Sequence, residues 1–233
     1  FGQGALRIAS ATTDGPVAAE RFTDPTGAGE RITGIVKLKN DGLVYLDVGN
    51  GLRQWNADKK RFEPFHVSAL AELPKVNSFF EDSSGALWAG TDENGAVRFD
   101  PKTGKSAVYD INTGLPDNTV NCFGEDGTGH VWISVWGKGL VEVANSGSRL
   151  FSTSTGLHSD KVRAMMRDRE GNLLIATHDE GLDIYKGDGF RSFSDIDGLV
   201  APDDLDGFFI LTLVRNPWDQ VVSYYHWLRV QGF

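Results

Sequence analysis

Val120-Asn-Cys-Phe-Gly-Glu-Asp126-Gly-Thr-Gly129-His-Val-Trp132-Ile-Ser-Val-Trp-Gly-Lys-Gly139 is one of three copies of a single pattern. The other copies run Val76–Gly95 and Val162–Gly181, so the starts lie 44 and 42 residues apart. Each copy has an apolar run, an Asp, a short Gly turn, a second apolar run, a polar loop and another Gly. Asp82, Asp126 and Asp168 share one register, Gly85, Gly129 and Gly171 the next, and Trp88, Trp132 and Leu174 a third. Gly-Leu pairs at Gly114, Gly156 and Gly198 recur every 42 residues. Short alternating runs bounded by Gly, Asp and Asn are strand signals. A period of this length built from strands and turns marks a β-propeller blade.

Outward from this copy, the pattern predicts a blade from Leu115 to Thr155, with strands at Thr119–Gly124, Val131–Val135, Gly139–Val143 and Arg149–Ser152. The preceding blade runs from Leu73 to Asn112 with a hairpin at Asp100-Pro-Lys-Thr-Gly104, and the following one from Leu157 to Asp197. A weaker copy places strands at Ile32–Leu38, Leu43–Val48, Gly51–Trp55 and Phe62–Phe65. Gly4–Ser10 reads as the second strand of a blade whose first strand is missing. Gly198-Leu199 opens another blade, but Ile210 stands where its Asp should be. Pairing Val200–Phe209 with Ala5–Ser10 would close about five four-stranded blades into a ring and remove the exposed edges. An open fragment of a larger ring is the rival. The expected fold is therefore all-β: a propeller domain over 1–207, followed by a strand–helix segment over 208–233.

Composition narrows the function classes. Five blades of this length nearly fill the chain, and the 28 glycines suit a fold rich in tight turns. A net charge of −9 argues against non-specific binding to nucleic acid or anionic membranes. The single Cys122 excludes an internal disulfide and a Cys-rich metal cluster. No stretch is apolar for long enough to span a bilayer as a helix. The chain starts Phe1-Gly-Gln-Gly without Met and reads as part of a longer protein. His66, His130, His158, His178 and His226 show no metal-ligand spacing. Asp203–Gly207 reads as a turn rather than a calcium loop, because Pro202 would fall on the first ligand position. No nucleophile elbow or phosphate loop is present. No catalytic residue, cofactor or metal is expected.

In a propeller the first strand of each blade lines the channel, and two sets of loops crowd one face. Here those loops are Pro116–Asn118 and Ser159-Asp160 between blades, and Asp92–Asn94, Trp136–Lys138 and His178–Glu180 within them. Asp92, Asn94, Asn118, Trp136, Lys138, His178 and Asp179 are the candidate ligand-binding residues. A polar rim with an exposed aromatic suits a sugar, through stacking and hydrogen bonds. The same residues also read as ordinary turn residues. Trp88 and Trp132, at strand positions, read as core between blades.

The motifs Gly114-Leu-Pro-Asp-Asn118-x-Val120, Glu125-Asp126-x-x-Gly129-x-Val-Trp132-Ile and Gly139-Leu140 resemble the two-component regulator propeller repeat. Glu81-Asp-Ser-Ser-Gly-Ala-Leu-Trp88 and Phe99-Asp-Pro-Lys-Thr-Gly104 match it as well, and the resemblance extends from about Ile32 to Leu199. It implies a non-enzymatic, ligand-sensing or interaction module. In that family such modules form the extracytoplasmic (periplasmic) sensors of bacterial hybrid histidine kinases, often tied to carbohydrates. It implies a small-molecule or carbohydrate partner. Self-association through strand edges or the tail is expected on separate grounds, from exposed edges and an apolar tail. No kinase or receiver sequence is present here.

The last 26 residues carry a different text: Phe208-Phe-Ile-Leu-Thr-Leu-Val214, Arg215-Asn-Pro217-Trp-Asp219, then Gln220 to Gln231. Asn216 can cap a helix and Pro217 can take its first position, so a helix is expected to start here and run to Gly232. Val221, Val222, Tyr225 and Leu228 would form its apolar stripe. Val214-Arg215-Asn-Pro217-x-Asp219-x-x-Val222-Ser223-Tyr-Tyr225-His226 resembles the 3′-phosphate-binding motif of sulfotransferases that use the sulfate donor PAPS. The resemblance implies phosphate contacts from Arg215 and Ser223. The family's Lys-containing phosphate loop has no counterpart upstream, where the blades lie. A chimera of two unrelated pieces, carrying part of a PAPS-dependent sulfotransferase, is the alternative reading of the chain.

Overall fold

The structure is a computed structural model describing residues 5–8, 19–22, 32–47, 51–65, 67, 69, 73, 75–144, 147–193, 210–215 and 221–226. It divides into two compact units, Phe1–Ser192 and Phe193–Phe233.

In the first unit, β1 (Ala5–Ile8) and β2 (Ala19–Phe22) form a two-stranded antiparallel sheet. Four antiparallel four-stranded blades follow. Blade I is β3 (Ile32–Lys37), β4 (Leu43–Asp47), β5 (Gly51–Asn56) and β6 (Arg61–Pro64). Blade II is β7 (Val76–Glu81), β8 (Leu87–Thr91), β9 (Ala96–Asp100) and β10 (Lys105–Tyr109). Blade III is β11 (Val120–Glu125), β12 (Val131–Val135), β13 (Gly139–Ala144) and β14 (Gly147–Phe151). Blade IV is β15 (Val162–Arg167), β16 (Leu173–Thr177), β17 (Leu182–Tyr185) and β18 (Phe190–Phe193). Each strand pairs with its sequence neighbour, as the repeat predicts. Of the fifth blade expected from the chain ends, β1 is described and pairs with β2, while its expected partner Val200–Phe209 lies outside the described residues.

The recurring Asp organises the turn between the first two strands. Asp126 Oδ1 accepts from the Thr128 N–H (2.8 Å), the Thr128 hydroxyl (2.6 Å) and the His130 N–H (3.1 Å), and Oδ2 accepts from the Trp132 indole at 2.9 Å. Asp82 repeats the scheme with Ser84, Ala86 and Trp88. Blade IV has Leu174 in place of Trp, and there the Asn172 carboxamide donates to Asp168 Oδ2 at 2.7 Å. The turn needs a left-handed residue, supplied by Gly85, Gly129 and Gly171 at φ +87°, +85° and +91°.

The core lies between blades. Trp88 packs with Phe123, Val131 and Ile133 of the next blade, and Trp132 with Val162, Leu173 and Ile175 of the one after. Both indoles are buried, at 2% and 0% exposure, as expected for core rather than ligand-facing residues. Polar clips add to these contacts. The Lys39 N–H donates to Glu81 Oε2 (2.7 Å), and the Ser83 N–H reaches both Glu125 oxygens (3.0 and 2.9 Å). Arg167 takes that place at the third junction. It donates to the Asp126 carbonyl, and the Gly127 N–H goes to the Gly171 carbonyl (2.8 Å) instead.

The second unit contains β19 (Ile210–Arg215) and β20 (Val221–His226), which pair antiparallel with Arg215 opposite Val221 and Leu213 opposite Ser223. This corrects the expected helix: residues 221–226 are a strand. Asn216 and Pro217, whose cap signal suggested the helix, and Leu228 lie outside the described residues. The reason is local. Val-Val-Ser-Tyr-Tyr is β-branched and aromatic, and β19 offers it an apolar partner strand, whereas a lone amphipathic helix needs a surface to dock on. Among the described residues no helix is long and apolar enough to cross a membrane.

Candidate functional site

Each blade's first strand carries the same irregularity. The pairing register shifts between Ile32 and Gly34, Val76 and Ser78, Val120 and Cys122, and Val162 and Ala164. The extra residues are Thr33, Asn77, Asn121 and Arg163. A bulge bends its strand and re-aims one side chain, so four blades repeat one way of presenting a polar residue. Successive first strands lie side by side, which gathers the row in one place. All four residues line a cavity of about 230 Å³, together with Ser78, Cys122 and the apolar Val44, Leu46, Phe79 and Phe123.

The cavity wall is incompletely satisfied. Asn77 Nδ2 donates to Asp92 Oδ1 at 2.5 Å, and Asn121 Nδ2 donates to the Val162 carbonyl at 2.7 Å. Asn77 Oδ1, Ser78 Oγ and Arg163 Nε are buried with no hydrogen-bond partner among the described residues. Buried polar atoms are ordinarily paired, so an acceptor, a hydroxyl and a cationic donor left unpaired in residues that line one cavity mark it as the candidate site. The Arg163 guanidinium lies over the Trp136 ring, 4.4 Å from its centroid, and His178 meets that ring edge-on at 5.9 Å. Stacking on Trp136 fixes the direction of the guanidinium.

Val120 pairs with Val135, so the loop before β11 and the loop after β12 share one end of the blade, the end where the bulges sit. The expected loop residues meet this geometry unevenly. Trp136 and His178 come together around Arg163, and Asp92 holds Asn77. One face of Trp136 is covered by Arg163, so the ring is a support for the cation before it is a platform for a sugar. Asn118 is occupied structurally: its Oδ1 accepts from the Ile111 N–H (3.0 Å), and its carbonyl from the Gly95 N–H. The Asn94 N–H donates to Thr91 Oγ1 at 2.8 Å, which makes it part of the turn. Asp179 accepts from the Ser159 hydroxyl (2.5 Å) and the Lys161 ammonium (2.9 Å), and these bonds hold its carboxyl below the usual range. Lys138 is exposed at the loop tip, its N–H bonded to the Val135 carbonyl. Arg215 and Ser223 belong to the other unit, on the neighbouring strands β19 and β20.

Thr33, Asn77, Asn121 and Arg163 were not among the residues expected from sequence. Their signal was present as a polar residue at one fixed register, directly after Ile32, Val76, Val120 and Val162.

Residues 114–137 match the family model described as two component regulator propeller. That match covers 24 residues, the first part of one repeat, and lies within the stretch whose motifs suggested it. Similar solved structures share the fold. One is the extracellular domain of a B. thetaiotaomicron protein described as a hybrid two component system, 19% identical, with a TM-score of 0.65 over 91% of this chain and 29% of that one. Another is the extracellular domain of a B. thetaiotaomicron one component system, 18% identical, with a TM-score of 0.64 over 82% and 28%. Virginiamycin B lyase from Staphylococcus aureus is similar over 98% of this chain and 85% of its own, at 11% identity and a TM-score of 0.56. No curated protein matches the chain by sequence. The chain spans less than a third of the length of the extracellular domains it matches. Extracellular domains of one and two component systems and a lyase share this architecture, so function has to be argued from the cavity rather than the fold.

Proposed function

We propose that this propeller is a non-enzymatic, ligand-sensing part of a longer extracytoplasmic regulator, and that it binds a small polar molecule, a carbohydrate, in the bulge-lined cavity. The observation that carries this reading is that Asn77, Ser78 and Arg163, each with a side-chain polar atom unpartnered among the described residues, all line one cavity. A sugar hydroxyl both donates and accepts, so one ligand can satisfy all three, while Phe79 and Phe123 offer apolar surface for ring carbons. The match at 114–137 and the sensor-domain neighbours are consistent with this role.

The test is calorimetric titration of the tag-free chain with a panel of neutral and acidic mono- and oligosaccharides, repeated on Arg163→Ala and Asn77→Ala. Saturable binding by the wild type that weakens about tenfold or more in each variant is expected, the loss of a hydrogen bond to a charged or buried group. Failure of every sugar to bind at millimolar concentration, or binding indifferent to both substitutions, would overturn the reading.

A further inference from the structure

Blade III carries a second constellation, at the other end of the blade, where the Asp126 turn lies. Position 98 on β9 and position 142 on β13 are equivalent, since Arg98 pairs with Trp88 and Glu142 with Trp132. In blade II the Asp82 carboxylate faces a cation, Arg98 Nε at 3.8 Å. In blade III that cation is replaced by the acid Glu142. The residue four after the turn Asp changes with it, from Ala86 to His130. His130 Nδ1 lies 2.8 Å from Glu142 Oε1 and 4.0 Å from Asp126 Oδ2. One ligand atom from each of the three lies within 4.8 Å of the others. Arg149 stands opposite Glu142 on β14, but its guanidinium lies over the Phe151 ring at 4.4 Å.

The geometry points to a divalent transition-metal site, of zinc type, formed by Asp126, His130 and Glu142. One imidazole nitrogen and two carboxylate oxygens suit a borderline ion, with the open positions filled by water. Ligands at roughly 2.0–2.2 Å from a tetrahedral ion stand roughly 3.4 Å apart. The His130–Glu142 separation therefore widens and the His130–Asp126 separation narrows, each by about 0.6 Å. Both are side-chain rotations, and His130 is 39% exposed, so it is free to make them. Asp126 is already oriented by its bonds to Thr128, His130 and Trp132, the kind of support that holds a metal-binding carboxylate in place. Its Oδ2 keeps the Trp132 indole on one lone pair and offers the other. His130 binds through Nδ1 in the tautomer that carries its proton on Nε2, so metal competes with the proton at Nδ1. Glu142 takes the position of Arg98, so Asp126 lacks the cation that Asp82 faces one blade earlier, and the bound ion supplies it.

The test titrates tag-free, chelator-treated protein with Zn²⁺ by calorimetry and with Co²⁺ by visible absorption, for wild type, His130→Ala and Glu142→Gln. Thermal melts of the metal-free variants establish that they fold. One equivalent of Zn²⁺ should bind, Co²⁺ should give ligand-field bands, and Trp132 fluorescence should fall with Co²⁺. Each substitution should weaken binding by about tenfold or more. Absence of a saturable site below millimolar zinc, or equal affinity in folded variants, overturns the assignment.

Discussion

Trp132 donates its indole N–H to Asp126 Oδ2 at 2.9 Å, and the pair is nearly fully buried. One residue thus closes the turn within its blade and fills the gap to the next, where Leu173 and Ile175 pack on it. Trp132→Ala is expected to cost about 3–5 kcal/mol, the range for large aromatic deletions in a packed core. Trp132→Phe keeps most of the volume but strips a donor from a buried carboxylate, at about 1–3 kcal/mol. Denaturant midpoints check both, and the order Ala worse than Phe is the diagnostic result.

Acid should weaken the same turns. Burial pushes the Asp82 and Asp126 carboxyls up, but hydrogen bonds from Ser84, Trp88 and Ala86 in one, and from Thr128, Trp132 and His130 in the other, outweigh it and hold both below their ordinary 3.8. A folded pKa below the unfolded one contributes stability that is complete above the unfolded value and is lost as pH falls through the folded value. The stability gap between wild type and Asp126→Asn should therefore be widest near neutrality and shrink below about pH 4. Urea titrations at both pH values measure it, and a pH-independent gap would contradict the sign.

Glu125 clips blade III to blade II by accepting the Ser83 N–H on both oxygens. Glu125→Ala leaves that N–H without its acceptor and is expected to cost about 1–3 kcal/mol. Gly127→Ala should destabilise the next junction by another route, since its Cβ would stand 2.7 Å from the Gly171 Cα. Thermal melts of the two single variants provide the comparison.

Cys122 lines the cavity beneath the bulges, yet burial pushes its thiol up to about 12, an effect larger than the opposing Ser134 hydrogen bond. The reactive thiolate is then scarce at neutral pH. Iodoacetamide should leave the native chain unlabelled over a time that labels the denatured chain fully. Rapid native labelling would show an activated thiol.

Arg163→Lys should fail to restore ligand binding lost in Arg163→Ala. An ammonium cannot reproduce the planar fork that stacks on Trp136. Recovery of affinity in the Lys variant would reduce the role of Arg163 to simple charge.

Blade boundaries, the turn Asp and Gly, and the burial of Trp88 and Trp132 were all legible in the sequence, because each follows from local turn chemistry and strand alternation. The bulge row was not. Asn77 and Asn121 look like ordinary strand residues until pairing leaves one without a partner across the ladder, and the cavity exists only where four blades converge. Asn118 misled in the opposite way: a polar loop residue facing the right end turned out to hold the Ile111 N–H. In the tail, the cap-like Asn216-Pro217 suggested a helix, but the strand preference of Val221–Tyr225 and its pairing with β19 prevailed.

The three junctions also bear on how such an array can grow by tandem copying of its gene. The first two share one acid-to-amide complementarity, so a duplicated blade II could be inserted between blades I and II with its seams matched on both sides. A duplicate of blade IV placed after blade II would bring Arg167 against the Ser83 amide, donor facing donor. The backbone remedy used at Gly127 depends on the absence of a side chain there, and Ser83 carries one. Each seam thus favours its own neighbour, since a foreign junction forgoes the hydrogen bonds made by Glu81, Glu125 or Gly127 at its own.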